Sequence, residues 1–124
     1  MPRSNEEHRI QCEIVKWCRA VELVRPELST IHAIPNGGNR SAATGAMLKR
    51  EGALAGVPDL HLPVPRLGYA SLYIEVKTPQ GRLSAAQNRV IGLLRKYGNR
   101  VDVVRTVYDG VESICNYLDE VDDA

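Results

Sequence analysis

The 124-residue chain lacks several marks that would place it in a special class. No apolar run approaches the length of a membrane span, so no membrane association is expected. The opening residues, MPRSNEEHR, are polar and carry no secretory signal, so a cytoplasmic protein is expected. The three cysteines, Cys12, Cys18 and Cys115, are an odd number with no CxxC or histidine spacing. They read as reduced, core-type thiols and argue against a zinc site. Repeats, low-complexity segments and interdomain linkers are also missing, so one domain over 1–124 is expected. Net charge is scarce as well, at +1. It is unevenly spread: four of the fifteen acids lie in the last six residues, DEVDDA, which read as a flexible acidic tail. Without that tail, 16 basic residues face 11 acidic ones, a balance of +5 that is compatible with a nucleic-acid partner.

What remains is an ordinary globular composition, 44% apolar and 25% charged. Ile10, Ile14, Trp17 and Val21 recur at helical spacing over about Asn5 to Leu23, behind a Ser4 or Asn5 cap. Thr30 to Pro35 reads as a short strand and NGGNRS as a loop, with Ser41 capping a helix to about Glu51. GVPDLHLPV and SLYIEVKT read as two strands of a hairpin. LSAAQNRVIGLLRKYG reads as a helix that Ser84 starts and Gly98 ends. A strand, RVDVVRTV, and a final helix, DGVESICNYLDEV, complete the order α-β-α-β-β-α-β-α. Helices interspersed among strands predict a three-layer α/β domain around a mixed sheet.

The two central strands carry charges where burial is expected. Side chains alternate along a strand, so Glu75 and Lys77 share one face while Ile74 and Val76 take the other. A solvated face with an ion pair would explain these two alone. Asp59, after Pro58 on the partner strand, can lie beside Glu75, and neighbouring carboxylates repel unless a cation sits between them. A hard divalent ion suits such oxygens and activates water against a phosphodiester, with Lys77 steadying the phosphate.

PD, fifteen residues and then EVK resembles the PD-(D/E)xK nuclease motif. The surroundings are more specific. EHRIQ, IPNGGNR, GVPDL and YIEVKTPQGRLSAAQ look like a stand-alone VRR-NUC domain, the nuclease module of phage proteins and of the Fanconi-anaemia-associated nuclease. The resemblance covers nearly the whole chain. It implies a restriction-endonuclease-like αβββαβ core plus extra helices. It also implies one or two Mg²⁺ or Mn²⁺ ions and cleavage of DNA, in a bacterial host cell if the gene is phage-borne. Asp59, Glu75 and Lys77 match the family's catalytic residues, and the Val76 carbonyl matches its backbone metal ligand. Stand-alone members look like homodimers, and the chain has no added DNA-reading module. Branched DNA, cut as by a Holliday-junction resolvase, is the expected substrate; a restriction-like or single-strand nuclease and a non-catalytic recombination accessory are the alternatives.

The supporting residues have competing structural roles. Glu7 lies over the inward stripe of the first helix and matches the family's first-helix glutamate, although a first-turn acid also suits the helix dipole. Glu13, on the opposite flank, is the fallback. Gln87 matches a family glutamine aimed at the active site, yet Ser84-x-x-Gln87 is also a capping box, and the two tasks compete for one rotamer. Asn36 and Arg40 sit in a glycine-rich stretch that reads either as a plain turn or as a loop able to approach phosphate, and Arg82 is taken with them as a DNA contact, although by itself it reads as a solvated charge. Lys49, Arg50 and Arg89 read as solvated charges, His32 and His61 as structural histidines, and Trp17 as core.

Overall fold

The computed structural model describes residues 4–35 and 41–119. Asn36 and Arg40 lie outside the described residues, as does most of the acidic tail. The elements are α1 (Asn5–Val21), a 3₁₀ turn (Pro26–Thr30), β1 (His32–Ala33), α2 (Ala42–Arg50), β2 (Leu60–Leu62), β3 (Leu72–Val76), α3 (Ala85–Lys96), β4 (Arg100–Val104) and α4 (Val107–Asp119). The strands form one sheet in the order β1-β2-β3-β4. The first two pairings are antiparallel and β3–β4 is parallel. This is the α/β architecture expected, an αβββαβ core with α2 and α4 added. Among the described residues, no helix is long and apolar enough to cross a membrane.

Local chemistry sets the element ends. Ser4 caps α1 by accepting from the Glu7 N–H at 3.1 Å. All four strands are shorter than the apolar pattern suggests, β1 and β2 most of all, and α4 already begins at Val107, inside the expected fourth strand. Pro26 opens a 3₁₀ turn that takes up residues to Thr30, so β1 keeps only two residues. Pro58 and Pro63 flank β2, and neither has an N–H to extend a central ladder. The β2–β3 connection turns at Leu67 and Gly68, both at positive φ (56° and 82°), which suits a tight turn between twisted strands. Gly98, at φ 92°, ends α3 in the left-handed conformation.

Alternation divides the sheet into two chemically different faces. Leu60, Leu62, Leu72, Ile74, Val76 and Val104 meet Ile10, Ile14 and Cys18 of α1 and Ile114, Tyr117 and Leu118 of α4 in the main core. Gly110 lets the two helices close: a Cβ there would lie 2.3 Å from Ile14 Cδ1. Trp17 packs at the edge of this core while Cys18 is fully buried, so the inward stripe of α1 is rotated slightly from the sequence-based reading. Cys18 fits the expected core thiol, but Cys12 is exposed and Cys115 half-buried. The other face carries Tyr73, Glu75, His61 and Val101, with α3 over its β4 side.

Candidate active site

The register assembles the site. Leu60 pairs with Ile74 across β2–β3, and one further step places Asp59 opposite Glu75. Residues directly opposite on antiparallel strands share a face, with Cβ atoms about 4.5–5.5 Å apart. Both acids are buried, at 8% and 2% exposure, where a charge needs a specific partner. Lys77, two residues beyond Glu75, is half-buried and continues the strand, its N–H donating to the Val104 carbonyl at 2.9 Å. It therefore emerges on the carboxylate face.

Pro58 has a role that motif matching alone does not reveal. The next step of the register sets Val76 opposite Pro58, which has no N–H to offer the Val76 carbonyl. The Val76 N–H on the same side donates instead to Asp59 Oδ2 at 2.8 Å. One Pro-Asp dipeptide thus anchors a carboxylate and leaves a carbonyl without a ladder donor from β2. Two carboxylates and one carbonyl are hard oxygen donors suited to Mg²⁺ or Mn²⁺. Among the described residues, no three His, Cys, Asp or Glu side chains form a metal-binding group. Glu7 is half-buried in the first turn of α1 and is not gathered with the two acids into such a group; Glu13 is exposed.

Gln87 resolves the competition between its two roles. Its Oε1 accepts from the Ser84 N–H at 2.8 Å, and its own N–H donates to Ser84 Oγ at 3.1 Å, completing the capping box. Its Nε2 donates to Glu75 Oε1 at 3.1 Å. The two ends of the amide perform the two tasks in one rotamer, so the start of α3 and the site carboxylate are held by one side chain.

Two further residues position these groups. Gly56, at φ 95°, lies against the first turn of α3, where a Cβ would stand 2.4 Å from the Ala86 carbonyl oxygen and 3.0 Å from the Gln87 nitrogen. Its place just before VPD is the only local sequence signal. Arg105 follows β4 and donates through Nη1 to the carbonyls of Thr78 (2.8 Å) and Gly81 (2.7 Å). It fastens the loop directly after Lys77, and Gly81 lies close to the Lys77 stem, since a Cβ there would be 3.5 Å from Lys77 Cδ. Arg82, in the same connection, is exposed, as are Lys49, Arg50 and Arg89.

His32, His61 and Tyr73 lie on the carboxylate face. His32 pairs with His61, and His61 with Tyr73, across β1, β2 and β3. Burial, then the nearby His32, pushes the His61 imidazole below its ordinary value, leaving it uncharged at neutral pH.

Comparison with known proteins agrees with this geometry. The model of the VRR-NUC domain matches residues 1–107. A solved structure described as a VRR_NUC domain protein is 27% identical to the chain, with a TM-score of 0.81, over 97% of this chain and 93% of its own. No curated protein matches. The family match runs from residue 1 to residue 107, where α4 begins, and so spans every residue of the site: the chain belongs to the VRR-NUC domain family.

Proposed function

We propose that the protein is a divalent-metal-dependent DNA endonuclease that acts as a homodimer on branched DNA, in the manner of a Holliday-junction resolvase, in the cytoplasm. Family membership points to a nuclease-type, DNA-acting function. The observation that carries the reading further is the placement of Asp59 opposite Glu75 with Lys77 on the same face. Asp59, Glu75 and the Val76 carbonyl would hold the ion; Glu7, which is not gathered with the two acids, is left outside that set. A bound divalent ion supplies Lewis acidity and offsets charge on the phosphate.

The side chains supply the rest. Lys77, fixed through the loop that Arg105 clasps, neutralises a non-bridging phosphate oxygen and orients the incoming water. Gln87 keeps Glu75 in one rotamer through its amide N–H, so the carboxylate is preorganised before substrate arrives. Arg82 contacts the DNA backbone, and Asn36 and Arg40, outside the described residues, are assigned the same role. A two-fold dimer would present two such sites to the two strands of a symmetric junction.

The test is cleavage of labelled four-way junction, flap, linear duplex and single-stranded DNA in Mg²⁺, Mn²⁺ or EDTA, beside Lys77→Ala. Paired metal-dependent nicks in the junction, absent in the variant, are expected. Cutting confined to another substrate would overturn the resolvase and keep the chemistry. Binding without cutting would leave a DNA-binding accessory.

A further inference from the structure

The ring row of His32, His61 and Tyr73 crosses three strands at one level of the sheet. His61 stacks on Tyr73 with centroids 4.1 Å apart and an interplanar angle of 16°. His32 meets His61 edge to face at 5.3 Å and 81°. The row lies one same-face step from the acids, since Tyr73 precedes Glu75 by two residues and His61 follows Asp59 by two. That step is about 7 Å along a strand. A nucleotide's sugar bridges a comparable gap between its phosphate and its base.

Exposure increases away from the centre: Tyr73 and His61 are half-buried and His32 is exposed. The first turn of α3 reaches the carboxylates through Gln87, and the ring row begins one step away from them along β2 and β3. The His32 Nδ1–H donates to the Thr30 carbonyl at 2.9 Å, which fixes the outermost ring. Tyr73 takes one face of His61 and His32 meets its other side, so the open π-surface is that of the exposed, fixed His32 ring, backed by His61 and Tyr73; such a ring can stack on any base, because every base has a π-face. A paired base inside a duplex cannot use it.

We propose that His32, held in place by the His61–Tyr73 stack behind it, is a stacking subsite for an unpaired nucleobase near the phosphodiester at Asp59 and Glu75. The proposal rests on the nuclease reading for the polymer involved. It makes the preferred substrate a strand with unpaired nucleotides beside the cut, as at a junction or flap.

The test uses the full chain in EDTA, so cutting plays no part. The probes are a 2-aminopurine-labelled single-stranded oligonucleotide, whose fluorescence falls on stacking, and a blunt duplex of equal length. His32→Ala and His61→Leu should weaken binding of the single-stranded probe by about tenfold and remove the quench. His32→Phe should keep both, and duplex binding should not change in any variant. Wild-type binding and quench in His32→Ala, or equal loss of both probes, would overturn the subsite. His32 is exposed, so this arm decides the matter even if His61→Leu does not fold. A protein that shows the ring effect but cuts nothing retains the subsite and loses the nuclease. One that cuts in Mg²⁺ with no ring effect does the reverse.

Discussion

Gly56→Ala offers a quantitative test of how the start of α3 is docked. Gly56 has φ 95°, and holding alanine near that left-handed region costs about 1–2 kcal/mol. The new Cβ would also meet the Ala86 carbonyl oxygen at 2.4 Å, against 3.4 Å or more for ordinary contact. The first turn of α3 must then retreat by about 1 Å, and overpacking of this kind costs about 1–3 kcal/mol more. Together these give about 2–5 kcal/mol, or a fall of about 8–20 °C in Tm for a chain of this size. Gly52→Ala is the control: Gly52 has φ 111°, but nothing lies within 4 Å of its Cβ position. It should lose only the backbone part, about 4–8 °C. The same retreat would stretch the 3.1 Å Gln87–Glu75 hydrogen bond beyond bonding distance. Cleavage by Gly56→Ala, measured well below its Tm, should fall by up to about 100-fold, while Gly52→Ala cuts normally. Equal Tm and equal activity in the two variants would refute the docking role of Gly56.

Arg105→Ala should release the loop after Lys77, costing about 1.5–3 kcal/mol in urea unfolding and lowering kcat more than it raises KM. Arg105→Lys should restore only part of this, since the shorter lysine chain does not bring its ammonium to the Nη1 position between the two carbonyls; full rescue by lysine would show that charge alone matters. Burial holds the Cys18 thiol at about 11, so at pH 8 it is almost entirely protonated, whereas Cys12 is exposed. A thiol reagent followed by mass spectrometry should label Cys12 in the native protein and Cys18 only on unfolding; equal rates would contradict the burial.

The polar centre of the site was legible because period-two alternation is local: Glu75 and Lys77 had to share a face once their strand was recognised. The position of Asp59 was only half legible. Pairing register fixes it, and that depends on strands folding together. Gln87 was legible twice, as cap and as site residue, but only side-chain geometry shows that the amide serves both. Arg105 was not legible as a clasp, because its partners Thr78 and Gly81 lie across a parallel crossover. The ring row escaped for a related reason: each histidine alone looks structural, and only the register lines them up with Tyr73. Apolar alternation continues past the ends of the strands, at β2 because Pro58 and Pro63 cut the ladder and at β4 because α4 begins at Val107.

The central claim is that Asp59 and Glu75 together hold a divalent ion, and the direct measurement is thermal unfolding in increasing Mn²⁺ for wild type and Glu75→Gln. Glutamine keeps the Oε1 acceptor for Gln87 and removes a buried charge from beside Asp59, so the metal-free variant should melt at or above wild type. Mn²⁺ should then raise the wild-type Tm progressively, as expected for a ligand that binds the native state, and leave the variant unmoved. The same rise in both proteins, or no rise in wild type, would contradict the account.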